Sequence, residues 1–110
     1  MNPREPNQLT VTLYQYTETM SNPNLSFVRD LIERTQHNPH LLRDVLEDLL
    51  TPAEIDDLAQ RWRIVQDLHK GLPQREIAQN LHVSLSKVTR GSRVLLNPKG
   101  GFNRLLSEIK

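Results

Sequence analysis

A chain of 110 residues, 36% of them hydrophobic, is long enough for one domain with a modest core and too short for several. With no cysteine it can form neither a disulfide nor a thiolate metal site, and with no apolar run of membrane-spanning length and no signal-peptide layout it reads as a soluble cytoplasmic protein. The net charge of +1 conceals a split: residues 1–59 carry four Lys/Arg against ten Asp/Glu, whereas residues 60–110 carry ten against three, so that one end suits an anionic partner and the other repels it, or a simple dipole is solvated.

Residues 1–24 hold three of the seven prolines and both tyrosines, with only a brief alternation around Val11 and Leu13, and are expected to form a flexible arm. Met20 is an alternative start. The single helical domain is expected over residues 25–110. Leu25, Phe27, Val28, Leu31 and Ile32 space a first helix, which ends near Asn38-Pro39. Pro39 opens a second helix with Asn38 as its cap, and Leu41, Leu42, Val45, Leu46, Leu49 and Leu50 give it an apolar face wider than a small monomer can cover. A second chain is the expected cover. Thr51-Pro52-Ala53-Glu54 combines a capping hydroxyl, a proline suited to the first helical position and a glutamate placed for a capping box, so a long helix starts there. Its apolar set Ile55, Leu58, Ala59, Trp62, Val65 and Leu68 runs to Gly71, which takes a left-handed stop, with Pro73 just beyond.

Residues 74–94 then have the spacing of a helix-turn-helix. Ile77, Ala78 and Leu81 share one face of its first helix, and the small Ala78 lets a second helix cross closely. His82 stands at the turn position that often holds glycine, where positive φ carries a cost. Ser84 restarts the helix, with Val88 and Leu95 on its buried side, leaving Ser86, Lys87, Thr89, Arg90 and Arg93 facing outward. Hydroxyls and long cations on the leading turns of a second helix suit major-groove edges and flanking phosphates. The alternative is a helical hairpin with a merely solvated polar face. Asn97 to Gly101 is a turn, and Phe102, Leu105, Leu106 and Ile109 space a last short helix. The fold class is therefore all-α.

No residue pattern supports catalysis: there is no nucleophile elbow, phosphate-binding glycine loop or embedded carboxylate pair. His37 and His40 lie three apart, but Asn38-Pro39 breaks the helix between them, so no metal site is expected.

Leu50-Thr51-Pro52, Arg61-Trp62-Arg63-Ile64-Val65, Gln74-Arg75-Glu76 and Val88-Thr89-Arg90-Gly91-Ser92, in that order and spacing, resemble the tryptophan repressor family of bacterial transcription regulators from about Phe27 onward. The resemblance implies six helices, an intertwined homodimer, L-tryptophan as corepressor and an operator in double-stranded DNA as partner, with no cofactor otherwise. By matching positions, Arg61 and Arg90 would hold an indole between their guanidinium planes, with Arg90 also pairing the ligand carboxylate. Leu50, through its carbonyl, and Thr51 would reach the ligand from the partner chain, and Gly91 would leave room beside the ring. The alternatives are a surface ion pair with Asp57 for Arg61 and a phosphate contact for Arg90. Arg75, Leu85, Ser86 and Thr89 match positions that face base edges, while Arg63, Gln74, Lys87 and Arg93 match or neighbour phosphate-facing ones. Three features depart from the family pattern. Val94 replaces a serine that helps bind the ligand's amino group, Ala78 replaces a lysine found in some members, and the loop before Gln74 is one residue shorter. The function implied is a tryptophan-activated repressor of tryptophan biosynthesis or uptake genes. The competing readings are a related regulator answering to another ligand or to none, and a helical interaction module that binds no DNA.

Overall fold

The computed structural model describes residues 22–109, which contain six α-helices and no strand. Up to residue 21, the expected arm, with its alternation at Val11 and Leu13 and the start at Met20, lies outside the described residues. The helices are α1 (Leu25–Thr35), α2 (Pro39–Leu49), α3 (Pro52–His69), α4 (Gln74–Leu81), α5 (Leu85–Val94) and α6 (Gly101–Glu108). None of them is long and apolar enough to cross a membrane. The described residues fall into two compact units divided within α2, one ending at Leu46 and the other beginning at Glu47.

In the first unit, α1 closes on Thr35, whose buried hydroxyl lies 3.0 Å from the carbonyl of Leu31 and 3.1 Å from that of Ile32. Back-bonding of this kind satisfies the hydroxyl within its own helix. The break at Asn38-Pro39 forms as expected: Asn38 Oδ1 accepts from the Leu41 N–H at 3.1 Å, and Pro39 supplies a first helical residue that has no N–H to satisfy.

In the second unit α3 is the central rod, packing against α4, α5 and α6. It starts at the expected capping box: Thr51 Oγ1 accepts from the Glu54 N–H at 3.2 Å, and Glu54 Oε1 accepts from the Thr51 N–H at 2.9 Å. The Thr51 N–H, and after it the Thr51 hydroxyl beside the same carboxylate, hold the Glu54 carboxyl below its ordinary value of 4.5. At the other end Gly71, at φ 87°, reverses the chain while the Gly71 and Leu72 N–H groups return to the carbonyls of Leu68 and Asp67 at 3.0 and 3.2 Å.

The end of α4 repeats this closure. His82 sits at φ 54°, ψ 45°, and the His82 and Val83 N–H groups return to Gln79 and Ala78 at 3.4 and 3.1 Å. His82 is the non-glycine residue with positive φ among those described, so the turn does carry the strain that the sequence implied.

Ile64, Ile77 and Val88 form the core where α3, α4 and α5 cross, with Ala78, Leu81 and Val83 packed around them. Ile77 and Val88 are wholly buried, each contributing about 1.5–3 kcal/mol relative to exposure. Gly91 lets α5 approach α3: a Cβ there would fall 2.8 Å from Ile64 Cγ2. On the other side of α3, α6 buries Leu106, and Asn103 Nδ2 ties α6 to the preceding turn by donating to the carbonyls of Leu95 and Asn97 at 2.9 and 2.7 Å. The shape of the second unit thus rests on one long, capped helix with three short ones laid across it.

Candidate ligand pocket and helix-turn-helix surface

A cavity of ≈ 520 Å³ opens in the second unit among α3, α5 and α6, within the size range of small-molecule sites. Helical phase explains its walls. On α5, Lys87, Arg90, Gly91 and Val94 stand at i, i+3, i+4 and i+7, one face of a helix; on α3, Asp57, Arg61 and Ile64 follow the same spacing, joined by Leu58, Gln60, Trp62 and Val65. Phe102 of α6 closes the wall, its ring stacked on Trp62 at 5.9 Å between centroids and 26° between planes. The result is an apolar slot with a cationic rim.

Four of the six residues expected at a ligand, Arg61, Arg90, Gly91 and Val94, therefore line one pocket. Leu50 and Thr51 do not line it. Thr51 caps α3, and both were expected to serve the pocket of a partner chain. Arg61 also makes the ion pair weighed for it, its Nη2 lying 3.0 Å from Asp57 Oδ2. The pair is about half exposed on both sides, so it orients Arg61 more than it stabilises the helix. Gly91 both lines the pocket and admits the Ile64 methyl, so its small size serves helix packing as well as the cavity.

Sequence reasoning missed Gln60, Trp62 and Phe102 as pocket residues. Trp62 and Phe102 had been read simply as core positions, and nothing in a single helix's spacing shows that two rings from distant helices will stack. Lys87 and Arg90 are exposed, as expected, and of the two Lys87 was assigned to phosphates alone, yet it lies on the pocket stripe with Arg90 and its Nζ donates to Gln60 Oε1 at 3.2 Å.

The adjoining stripe of α5, off the pocket, carries Ser86, Thr89 and Arg93. Ser84 caps the helix by accepting from the Lys87 N–H at 3.3 Å, and its Oγ lies 3.1 Å from Ser86 Oγ. Thr89 Oγ1 sits 3.0 Å from Gln74 Oε1 and 3.0 Å from the Leu85 carbonyl, so its single proton links the first helix of the motif to the second. Arg63, Arg75, Leu85 and Arg93 are exposed, Leu85 by 43%, and Gln74 and Thr89 are half-buried. Hydroxyls and cations thus stand at the start and along the outer side of a second helix held rigidly against the first, an arrangement able to enter a groove.

The family model of the Trp repressor protein matches residues 23–110 of this chain. The Trp operon repressor homolog of Mannheimia succiniciproducens is 52% identical over 54 residues, 48% of this chain and 54% of that protein. That of Vibrio vulnificus is 36% identical over 91 residues, covering 78% of this chain and 84% of the relative. That of Chlamydia trachomatis is 37% identical over 68 residues, 61% and 72% of the two chains. The match spans about half the length of the Mannheimia relative and most of the Vibrio one. A family model that covers every helix among the described residues and a relative followed over most of its length agree with the motifs, and the chain belongs to the Trp repressor family.

Proposed function

We propose that the chain is a sequence-specific DNA-binding transcriptional repressor that acts as a homodimer and is activated by L-tryptophan as corepressor. The observation that carries this reading is the division of α5 into two adjoining stripes, Lys87, Arg90, Gly91 and Val94 on the pocket and Ser86, Thr89 and Arg93 beside them and off it. One rigid helix then couples what fills the pocket to how the reading surface is held. In this scheme Arg61 and Arg90 stack on the indole, and Arg90 forks onto the carboxylate, which a planar guanidinium does better than a lysine. Leu50 and Thr51 of a second copy close the ligand's polar end. Arg75, Leu85, Ser86 and Thr89 face base edges, and Arg63, Gln74 and Arg93 meet or flank phosphates, with Lys87 flanking them from the edge of the pocket stripe.

Family membership and the repressor names of the relatives support this reading, as do the exposed apolar side chains of α1 and α2, which suit cover by a second copy. A second reading, a related regulator that answers to a different ligand, is favoured by one observation: Val94 puts an apolar group at the pocket rim where a hydroxyl could meet an ammonium. Calorimetry with L-tryptophan, combined with selection of binding sites from a random duplex pool with and without it, tests the proposal. The expected result is two ligands per dimer and tighter duplex binding when they are bound, with Arg90→Lys nearly abolishing both. Linkage requires the selected duplex to tighten ligand binding by the same factor. Duplex binding that ignores L-tryptophan at millimolar concentration would leave the second reading, and binding to no duplex at low salt would leave a helical interaction module.

A further inference from the structure

We propose that Lys87, oriented by Gln60, is a second anchor for the carboxylate of the pocket's ligand beside Arg90, an inference that rests on the ligand-binding reading of this site. Three observations carry it. The first is phase: Lys87 lies three residues before Arg90 on the pocket stripe of α5, not on the stripe of Ser86 and Thr89. The second is orientation, because the Lys87 ammonium is drawn across to α3 by Gln60 Oε1 at 3.2 Å, a contact between residues 27 apart in sequence that spans the pocket wall.

The third is charge. Three cations and one carboxylate line the cavity, and that carboxylate, Asp57, already neutralises Arg61 at 3.0 Å. Among the described residues neither Lys87 nor Arg90 has an acidic partner within ion-pair distance. A neutral amide oxygen orients an ammonium without cancelling its charge, so Lys87 is held in place with its charge still available to an anion. Against the apolar walls of Trp62, Val94 and Phe102, the pocket is built for a flat apolar body with one anionic end, gripped by a fork and a point charge together.

Gln60 is a positioning residue in this scheme. It acts through the Lys87 ammonium, and its effect should appear only where the ligand carries a charge for Lys87 to meet.

The test uses indole-3-propionate and its neutral amide, which share shape and differ in the carboxylate, with L-tryptophan as a third probe, all by calorimetry on the full chain. Lys87→Met keeps most of the stem and removes the charge. It should weaken binding of the acid about tenfold and leave the amide unchanged. Gln60→Leu should weaken the acid about two- to threefold and again spare the amide. Helix content by circular dichroism should match the parent for both, since Lys87 is exposed and Gln60 half-buried. Equal losses for acid and amide, or no loss for either, would overturn the inference while leaving the pocket intact. It would likewise be overturned by a Lys87→Met variant that keeps its ligand affinity but loses about one unit of salt slope in duplex binding, because Lys87 would then serve phosphate alone. Binding of the acid with no heat from L-tryptophan would remove tryptophan as the ligand and still let the Lys87 comparison be read. Heat from none of the three probes would overturn the ligand reading and this inference together.

Discussion

The helices up to Leu46 and those from Glu47 are built from much the same apolar residues, but they use them differently. Every buried hydrophobic side chain among the described residues, Ile64, Val65, Ile77, Val88 and Leu106, belongs to the second unit; the first buries Thr35 and leaves Phe27 75% and Leu25 57% exposed. Amphipathic spacing states which side of a helix wants cover. It does not state where the cover comes from, and in one unit the cover is the neighbouring helices while in the other a single copy supplies little.

The sharpest way to break this contrast is to place a charge in the packed unit. Ile77→Asp puts a carboxylate at a site with no exposure, and it should destabilise the helix-turn-helix by at least about 3–5 kcal/mol, abolishing its cooperative melting by circular dichroism. A melting temperature within a few degrees of the parent would contradict the core described here. The matching change in the first unit is Leu41→Asp, at a side chain 46% exposed in the single chain. If a second copy covers this face, sedimentation should show dimer association weakened by about 2–4 kcal/mol; an uncovered face should tolerate the change within about 0.5 kcal/mol.

Smaller changes sharpen the comparison within the packed unit. Gly91→Ala should cost about 1–3 kcal/mol, because the added methyl meets Ile64 Cγ2 in a buried crossing, and chemical denaturation measures it as a shift in midpoint at constant slope. His82→Gly should move stability the other way, by up to about 1 kcal/mol, since relief of a left-handed backbone outweighs the added freedom of the unfolded chain. The smallest effect belongs to Glu54. Its folded-state pKa is lowered, so its stabilising contribution is fully present above the ordinary value of 4.5 and is lost as pH falls through the lowered one. Glu54→Gln should flatten that acid limb in a pH series of melting temperatures, with little change at neutral pH.

Most of the scaffold was legible because its signals are local. Thr51-Pro52-Ala53-Glu54, Asn38-Pro39, Gly71 and Ser84 each act within a few residues of themselves, and each does in the structure what its chemistry suggests. The ion pair between Asp57 and Arg61 was legible for the same reason. Lys87 and Gln60, Trp62 and Phe102, and Thr89 and Gln74 were not, because each pair joins different helices. Periodicity gives the phase of a residue on its own helix. The partner across a crossing depends on the crossing angle, which Gly91 and Ala78 set through the space they leave. The placement of Arg61, Arg90, Gly91 and Val94 around one cavity came from the family resemblance, and no reading of charge or spacing alone would have separated Arg90 from the solvated cations near it.

The stacking of Trp62 on Phe102 also gives the protein an optical signal of its own. Trp62 is the single tryptophan in the chain, and it sits in the wall of the cavity with its ring against α6. Its emission therefore senses two events at once, entry of an occupant beside the ring and any parting of α6 from α3. An occupant without an indole adds no emission of its own, so libraries of colourless metabolites can be screened on the unlabelled chain as changes in Trp62 emission at an excitation wavelength that reaches Trp62 alone. Phe102→Leu would separate the two events, removing the stacking partner while leaving the indole in place, and Trp62→Phe would supply the blank.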